Sequence, residues 1–101
     1  MTDITVEELK ERKDNKENLI VIDVREEWEY DEFNIGGKLI PLATLPSGLE
    51  VYTKNKNDEI IIHCKSGKRS ASAQAYMKQQ GFTNVRNLIG GVEAWKLNFG
   101  L

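Results

Sequence analysis

The chain has 101 residues, of which 40% are hydrophobic and 30% charged; this indicates one globular domain spanning residues 1–101 and excludes disordered and collagen-like proteins. One cysteine and one histidine exclude an internal disulfide and offer too few soft ligands for the usual metal site, so we expect no metal and no cofactor. A net charge of −2 without basic runs excludes nucleic-acid binding, while short apolar runs and the lack of a secretory signal predict a cytoplasmic protein that contacts no membrane.

The first part of the chain predicts a helix, a strand and a second helix. Thr5 and Glu8 have the spacing of a capping box, so the first helix is predicted over residues 6–13. Residues 19–24 are apolar and β-branched without alternation, which is typical of a parallel strand covered on both faces. An acidic helix is then predicted over residues 26–33.

Weaker signals follow this acidic helix. A short strand is predicted near residues 39–40, just before a proline, and residues 46–48 (Pro-Ser-Gly) predict a turn. One or two helical turns are expected over residues 49–54. Among the aromatic side chains, Trp28 and Trp95 are expected to pack inward, because small domains depend on the burial of large aromatic groups.

The second half has clearer patterns. A buried strand is predicted over residues 59–64, and small apolar residues predict a helix over residues 68–80, with Gly81 placed for a left-handed cap. A further strand over residues 85–88 and a last helix over residues 92–97 complete the order. Strands that alternate with helices imply right-handed crossovers, and therefore an α/β fold with a mainly parallel sheet and helices on both faces.

The only cysteine and the only histidine stand together in His63-Cys64-Lys65-Ser66-Gly67-Lys68-Arg69-Ser70. Cys64 ends a predicted strand and precedes a helix, and sites in open α/β sheets lie at the carboxyl ends of strands. Because the next residues include a glycine and small polar side chains, the backbone can curl and direct successive N–H groups inward. Such a nest lowers the pKa of a thiol, so Cys64 is the candidate nucleophile.

The residues around this nucleophile have different predicted roles. Ser70 is placed to donate a hydrogen bond into the loop, and Lys65, Lys68 and Arg69 would attract an anionic substrate at its mouth. His63 is predicted to be structural, because adjacent strand residues point to opposite faces. Ordinary alternatives exist, since a lone cysteine is often a small buried hydrophobe and single lysines are usually solvated. Only the clustering of these groups favours a function.

Three ordered motifs make the chain resemble the rhodanese family along nearly its whole length. They are Asp23-Val24-Arg25-Glu26-Glu27-Trp28-Glu29-Tyr30, the cysteine loop, and Asn87-Leu88-Ile89-Gly90-Gly91-Val92-Glu93-Ala94-Trp95. The resemblance implies a three-layer fold whose central sheet has five mainly parallel strands. It also implies a six-residue active loop over residues 64–69, whereas related phosphatases and arsenate reductases have a longer one. A shorter ring of N–H groups suits a single sulfur atom better than a tetrahedral phosphate.

The activity implied by this resemblance is sulfur transfer. Cys64 would take the outer sulfur of a donor such as thiosulfate, hold it as a persulfide, and pass it to a thiol, cyanide or a sulfur-relay protein. The cradle around that sulfur is implied to consist of Lys65, Ser66, Gly67, Lys68, Arg69 and Ser70. Two alternatives remain open: a sulfur-relay or binding module that acts with a protein partner, and a phosphatase or arsenate reductase that uses the same loop.

The chain departs from the family pattern at one turn. Where the family commonly has His-Ile-Pro-Gly, this chain has Asn34-Ile35-Gly36-Gly37, so any contribution of that histidine to the site is absent. Asp23 and Arg25 match the family's pair at a strand end, and we expect Arg25 to form a structural salt bridge with a glutamate at position 26, 27 or 29. The pair Gly90-Gly91 is expected to be a tight turn into the last helix.

Overall fold

A parallel sheet forms the centre of the protein. The computed structural model describes residues 2–100, and within them the strands are β1 Ile20–Asp23, β2 Lys38–Leu39, β3 Ile60–His63 and β4 Val85–Asn87. Their order is β2-β1-β3-β4, and every neighbouring pair is parallel. The α/β class and the parallel sheet are therefore confirmed, with four strands rather than the five that the resemblance implies.

The position of a fifth strand is taken by a single residue. Ile4 forms a parallel bridge with Leu88, in which the Ile4 amide donates to Asn87 O at 3.0 Å and the Ile4 carbonyl accepts from Ile89 N at 2.9 Å. The extended segment stops there because Thr5 already caps the first helix. Pairing at this edge is thus limited to one residue.

Within residues 2–100, five helices and two 3₁₀ segments surround the sheet. The helices are α1 Val6–Asp14, α2 Glu27–Glu32, α3 Leu45–Gly48, α4 Lys68–Gln79 and α5 Gly91–Phe99, and the 3₁₀ segments are Leu42–Thr44 and Leu49–Asn55. The predicted turn at residues 46–48 is wrong, because these residues lie inside α3, whose first turn tolerates proline. None of the helices among residues 2–100 has both the length and the apolar character needed to span a bilayer.

Each face of the sheet carries its own core. Alternate residues of β3 supply both cores, with Ile60 and Ile62 on one face and Ile61 on the other. The first core also contains Ile22, Val24, Ile40, Leu45, Leu49, Cys64, Ala73, Met77, Phe82 and Val85. The second also contains Ile4, Val6, Leu9, Val21, Ile35, Leu88 and Trp95. Because Cys64 belongs to the first core, its backbone position is held by the packing of α3 and α4.

The two tryptophan side chains differ in how far they are buried. Trp95 is 6% exposed and meets the Phe99 ring edge-on, with ring centroids 4.9 Å apart, as the prediction of inward packing requires. The same prediction for Trp28 is wrong, because this side chain is 64% exposed. The residue that α2 turns inward is Glu29, and Trp28, one position before it in the helix, points about 100° away.

A network of charges joins α1 to the sheet. The Thr5 hydroxyl accepts from Glu8 N at 3.1 Å, as predicted, but the Glu8 carboxylate accepts from Arg86 Nη1 at 2.8 Å. Arg12 donates through both Nη atoms to Glu59, at 2.8 and 2.6 Å. These bonds, with a smaller contribution from Arg86, lower the pKa of Glu59 to about 2. Long-range ion pairs therefore replace half of the expected capping box.

Candidate active site

Cys64 lies directly after β3, at the carboxyl edge of the sheet. The chain then turns through a loop that ends at Lys68, the first residue of α4. Gly67 permits this turn because its φ is +115°, a left-handed conformation that favours glycine. Cys64 is only 1% exposed, so its sulfur lies at the floor of the loop.

Three donors converge on the sulfur of Cys64. The Gly67 N–H lies 3.1 Å from Sγ, the Ser70 N–H lies 3.4 Å away, and the Ser70 hydroxyl lies 3.3 Å away. Burial alone would raise the pKa of the thiol, but the hydrogen bonds from Ser70 and from the N–H groups of Gly67 and Ser66 together outweigh it. The pKa of Cys64 is therefore lowered, and the loop favours the thiolate.

Ser70 is held by a residue that the sequence did not single out as part of the site. The Ser70 hydroxyl also donates to Oδ1 of Asn87, at the end of β4, at 2.7 Å, so its single proton is shared between Asn87 and the sulfur, and Asn87 donates through Nδ2 to Gly67 O at 3.2 Å. Both Asn87 and Ser70 are buried. The sequence could have indicated Asn87 only through topology, because the carboxyl end of β4 lies beside the carboxyl end of β3, where Cys64 follows.

The cationic residues of the loop divide into two groups. Lys65 and Lys68 are exposed, and neither forms an ion pair within the part of the chain that the structure describes. Ser66 is also exposed, and its backbone N–H adds to the lowering of the Cys64 pKa. Lys65 lines a groove that also includes Trp28 and Lys96, and Lys68 is the first residue of α4.

Arg69 is differently placed from its predicted position at the mouth. Its Nη1 and Nη2 donate to Glu29 Oε1 and Oε2 at 2.6 and 2.8 Å. Hydrogen bonding from Arg69 is the largest cause that lowers the pKa of Glu29 to about 2. Glu29 thus anchors the end of the loop to α2, a pairing over 40 positions that no local pattern indicated.

A family model for the rhodanese-like domain matches residues 5–98 of the chain. The chain belongs to the rhodanese-like family. A crystal structure of a rhodanese-like domain protein from Staphylococcus aureus has a TM-score of 0.83 at 34% identity, and the match covers 94% of this chain and 91% of that one.

Two curated relatives differ in length from this chain. YrkF of Bacillus subtilis, a candidate sulfur carrier protein, is 40% identical over 94 residues, which are 92% of this chain and 50% of YrkF. The thiosulfate sulfurtransferase GlpE of Coxiella burnetii is 34% identical over 82 residues, which are 80% of this chain and 75% of GlpE. The chain therefore spans only half the length of YrkF.

In this rhodanese-like domain, Arg25 is a buried structural residue, but its expected partner is wrong. Its Nη2 donates to Asp23 Oδ2 at 2.8 Å and to Phe33 O at 2.7 Å, and its Nε donates to Asp23 Oδ1 at 3.0 Å. No side-chain bond to a glutamate at position 26, 27 or 29 is present among residues 2–100; only the Glu29 carbonyl lies near, at 3.4 Å. Residues two apart at a strand end share a face, which favours Asp23.

His63 is completely buried beside the Asp23–Arg25 pair. Its Nε2 lies 3.8 Å from Asp23 Oδ2, and neither ring nitrogen has a hydrogen-bond partner among residues 2–100. Burial is the largest cause of its lowered pKa; the charge of Asp23 acts in the opposite direction and is outweighed. The rhodanese-like fold therefore holds this imidazole neutral.

The burial of His63 predicts a stability that depends on pH. Because the pKa of His63 is lowered on folding, the unfolded chain takes up a proton first as the pH falls below about 6.5. The contribution of neutral His63 is therefore fully present above that pH and is lost as the pH falls towards the folded pKa. Urea unfolding between pH 7 and pH 5 is expected to show this loss in the wild type and to show a flatter profile in His63→Leu.

The difference between the wild-type and His63→Leu profiles isolates the contribution of the His63 imidazole to the pH dependence of stability. The contribution of Cys64 to the profile is common to both and cancels in the difference. Glu29 and Glu59, with pKa values of about 2, lose their stabilising contribution only below their unfolded pKa of about 4.3, outside the window. Parallel profiles for wild type and variant would contradict the assignment.

Proposed function

We propose that the protein is a sulfurtransferase that carries sulfane sulfur as a persulfide on Cys64. The observation that carries this proposal is the convergence of the Gly67 N–H, the Ser70 N–H and the Ser70 hydroxyl on a buried sulfur at the end of a strand. Donors that stabilise a thiolate also stabilise the anionic outer sulfur of a persulfide. The naming of the relative GlpE as a thiosulfate sulfurtransferase supports the same chemistry.

The first half-reaction loads the cysteine. The thiolate of Cys64 attacks the outer sulfur of thiosulfate, a new S–S bond forms, and the S–S bond of the donor breaks to release sulfite. One negative charge remains on the persulfide and two leave on sulfite, so charge and electrons balance. In the second half-reaction the outer sulfur forms a bond to cyanide or to a thiolate, and Cys64 returns as the thiolate.

The positive charge of the loop and the limited access to the Cys64 sulfur define the class of sulfur donor. Lys65 and Lys68 supply positive charge at the mouth of the loop, which favours an anionic donor such as thiosulfate. The loop residues 65–70 surround a sulfur whose residue is 1% exposed, so a small terminal atom has the best access. Arg69 acts mainly through its bond to Glu29, which holds the end of the cradle.

The same bond disfavours a phosphatase or an arsenate reductase. The two terminal nitrogens of Arg69 form one bidentate edge of the guanidinium, and Glu29 occupies that edge, so only the edge at Nε remains for an oxyanion. The Glu29 carboxylate also offsets the positive charge that an oxyanion would require. Turnover of an aryl phosphate above the rate of the Cys64→Ser variant would contradict this argument.

A second candidate function is a sulfur relay to a protein partner. It is favoured by a groove of about 220 Å³ between α2 and α5, which starts at Lys65 and is bordered by the exposed Trp28. The two candidates differ in how the loaded persulfide is discharged. A relay module keeps its sulfur for minutes in millimolar cyanide or glutathione, whereas an enzyme for small acceptors loses it within seconds.

Whole-protein mass spectrometry after exposure to thiosulfate tests the proposal. We expect the wild type to gain the mass of one sulfur, to lose it on addition of cyanide, and to release thiocyanate. The Cys64→Ser variant, which retains the loop backbone, should show neither change. If the wild type gains no sulfur from thiosulfate, polysulfide or a low-molecular-weight persulfide, the proposed function is wrong.

A further inference from the structure

The first turn of α5 donates its amides to the catalytic loop. Val92 N donates to Cys64 O at 3.0 Å, and Glu93 N donates to Lys65 O at 2.9 Å. The first amides of a helix have no acceptor within the helix and usually bond to a side-chain cap or to water. Gly90, the N-cap of α5, provides no side-chain bond. The loop carbonyls therefore act as the cap of α5.

These two bonds orient the N–H groups of the loop. Because a trans peptide unit is planar, a bonded carbonyl fixes the orientation of the whole unit. The Cys64 and Lys65 carbonyls are both bonded to α5, so the start of the loop is held, and the Gly67 N–H that follows lies 3.1 Å from Cys64 Sγ. A loop without these acceptor contacts could rotate the peptide and withdraw that donor.

Gly91 allows the close approach of α5 to the loop. Its φ is +57°, and a Cβ built on it would lie 2.5 Å from Cys64 O and 2.6 Å from Lys65 O. Both neighbours are backbone atoms that cannot move independently of the loop. The glycine thus has a more specific role than the tight turn that the sequence predicted.

We propose that Gly91 is a positioning residue of the active site, which seats the N-terminus of α5 on the Cys64 and Lys65 carbonyls and so holds the loop whose Gly67 N–H points at the reacting sulfur. The catalytic meaning of this arrangement rests on the proposed sulfur-transfer function. Its geometry concerns the resting thiolate and is independent of any sulfur donor. The inference can therefore be tested without turnover.

The test compares two glycine-to-alanine variants at opposite ends of α5. Gly91→Ala places a methyl group against the loop carbonyls, whereas Gly100→Ala has a similar left-handed backbone, φ +74°, and within residues 2–100 its new methyl group meets no atom within 4 Å outside its own turn of the chain. Ultraviolet absorbance of the thiolate is followed against pH in both variants and in the wild type. We expect the pKa of Cys64 to rise by about one unit in Gly91→Ala and to stay unchanged in Gly100→Ala.

Each outcome of this titration decides the proposal. Absorbance is chosen because, unlike alkylation, it does not depend on how easily a reagent reaches the buried sulfur. Equal pKa values in folded Gly91→Ala and wild type would overturn it, as would an equal rise in Gly100→Ala. Loss of thiolate stabilisation in Gly91→Ala alone, with helical content retained in circular dichroism, would support it.

A measurement on the wild type covers the case in which Gly91→Ala does not fold. Amide hydrogen exchange should show protection of Val92 and Glu93 close to that of the β3 amides. The Glu7 amide is the internal control, because it is also in the first turn of a helix but has no acceptor among residues 2–100. Exchange of Val92 and Glu93 as fast as that of Glu7 would overturn the proposal. Neither experiment uses a sulfur donor, so its failure is distinguishable from failure of the proposed function.

Discussion

Arg25→Met is expected to lower the free energy of unfolding by about 3–5 kcal/mol. The variant removes the guanidinium from Asp23, which is 0% exposed, and leaves a buried carboxylate whose nearest ionisable neighbour is the neutral His63. It also leaves Phe33 O without the donor at 2.7 Å. An uncompensated buried charge costs more than the lost contacts alone. Urea unfolding at pH 7 measures the difference.

The partner substitution provides the control for this prediction. Asp23→Asn combined with Arg25→Met removes both charges, so the double variant should be less destabilised than the sum of the two single variants. The coupling expected from contacts of 2.8 and 3.0 Å exceeds 1 kcal/mol. Additive effects, or a loss below about 1 kcal/mol for Arg25→Met, would show that the buried pair does not stabilise the fold.

Ser70→Ala is expected to raise the pKa of Cys64 and to slow sulfur loading about tenfold at pH values below that pKa. Among the groups that lower the pKa of this thiol, the Ser70 hydroxyl has the largest effect. Without it, burial raises the pKa against fewer donors, so the thiolate fraction at low pH falls. The loading rate from thiosulfate, measured against pH, should approach the wild-type rate above the new pKa.

Ser66→Ala is the matched control for this prediction. Ser66 lies in the same loop and acts on the Cys64 pKa only through its backbone N–H, and its exposed side chain forms no hydrogen bond among residues 2–100. We therefore expect an unchanged pH profile for Ser66→Ala. An equal displacement of both profiles would mean that the loop backbone, and not the Ser70 hydroxyl, was disturbed.

Much of the fold follows from neighbours in the chain. The apolar runs that became β1 and β3, the start of α1 at Thr5 and the left-handed Gly81 were predicted from residues a few positions apart. Helix caps and buried strands depend on local hydrogen bonding and on side-chain pattern, so they can be predicted locally. The single-residue pairing of Ile4 could not be predicted, because the resemblance implies a fifth strand but not how long that strand is.

The site was predictable only in part. The cysteine loop was evident because its residues are contiguous and end at a glycine before a helix. The bonds that hold the loop were not, because they join Arg69 to Glu29 over 40 positions and Ser70 to Asn87 over 17. Arg69 was therefore expected to face the substrate, and the structure shows it held by a carboxylate.

The sequence by itself determined the candidate nucleophile, the short loop around it and the parallel α/β frame, because each depends on residues that are adjacent or regularly spaced. Only the tertiary structure decided which groups contact that loop: Glu29 from α2, Asn87 from β4, and the amides of Val92 and Glu93 in the first turn of α5. Their positions result from the packing of helices on both faces of the sheet. Hydrogen bonds between distant segments are direction-dependent, and no local pattern encodes that direction.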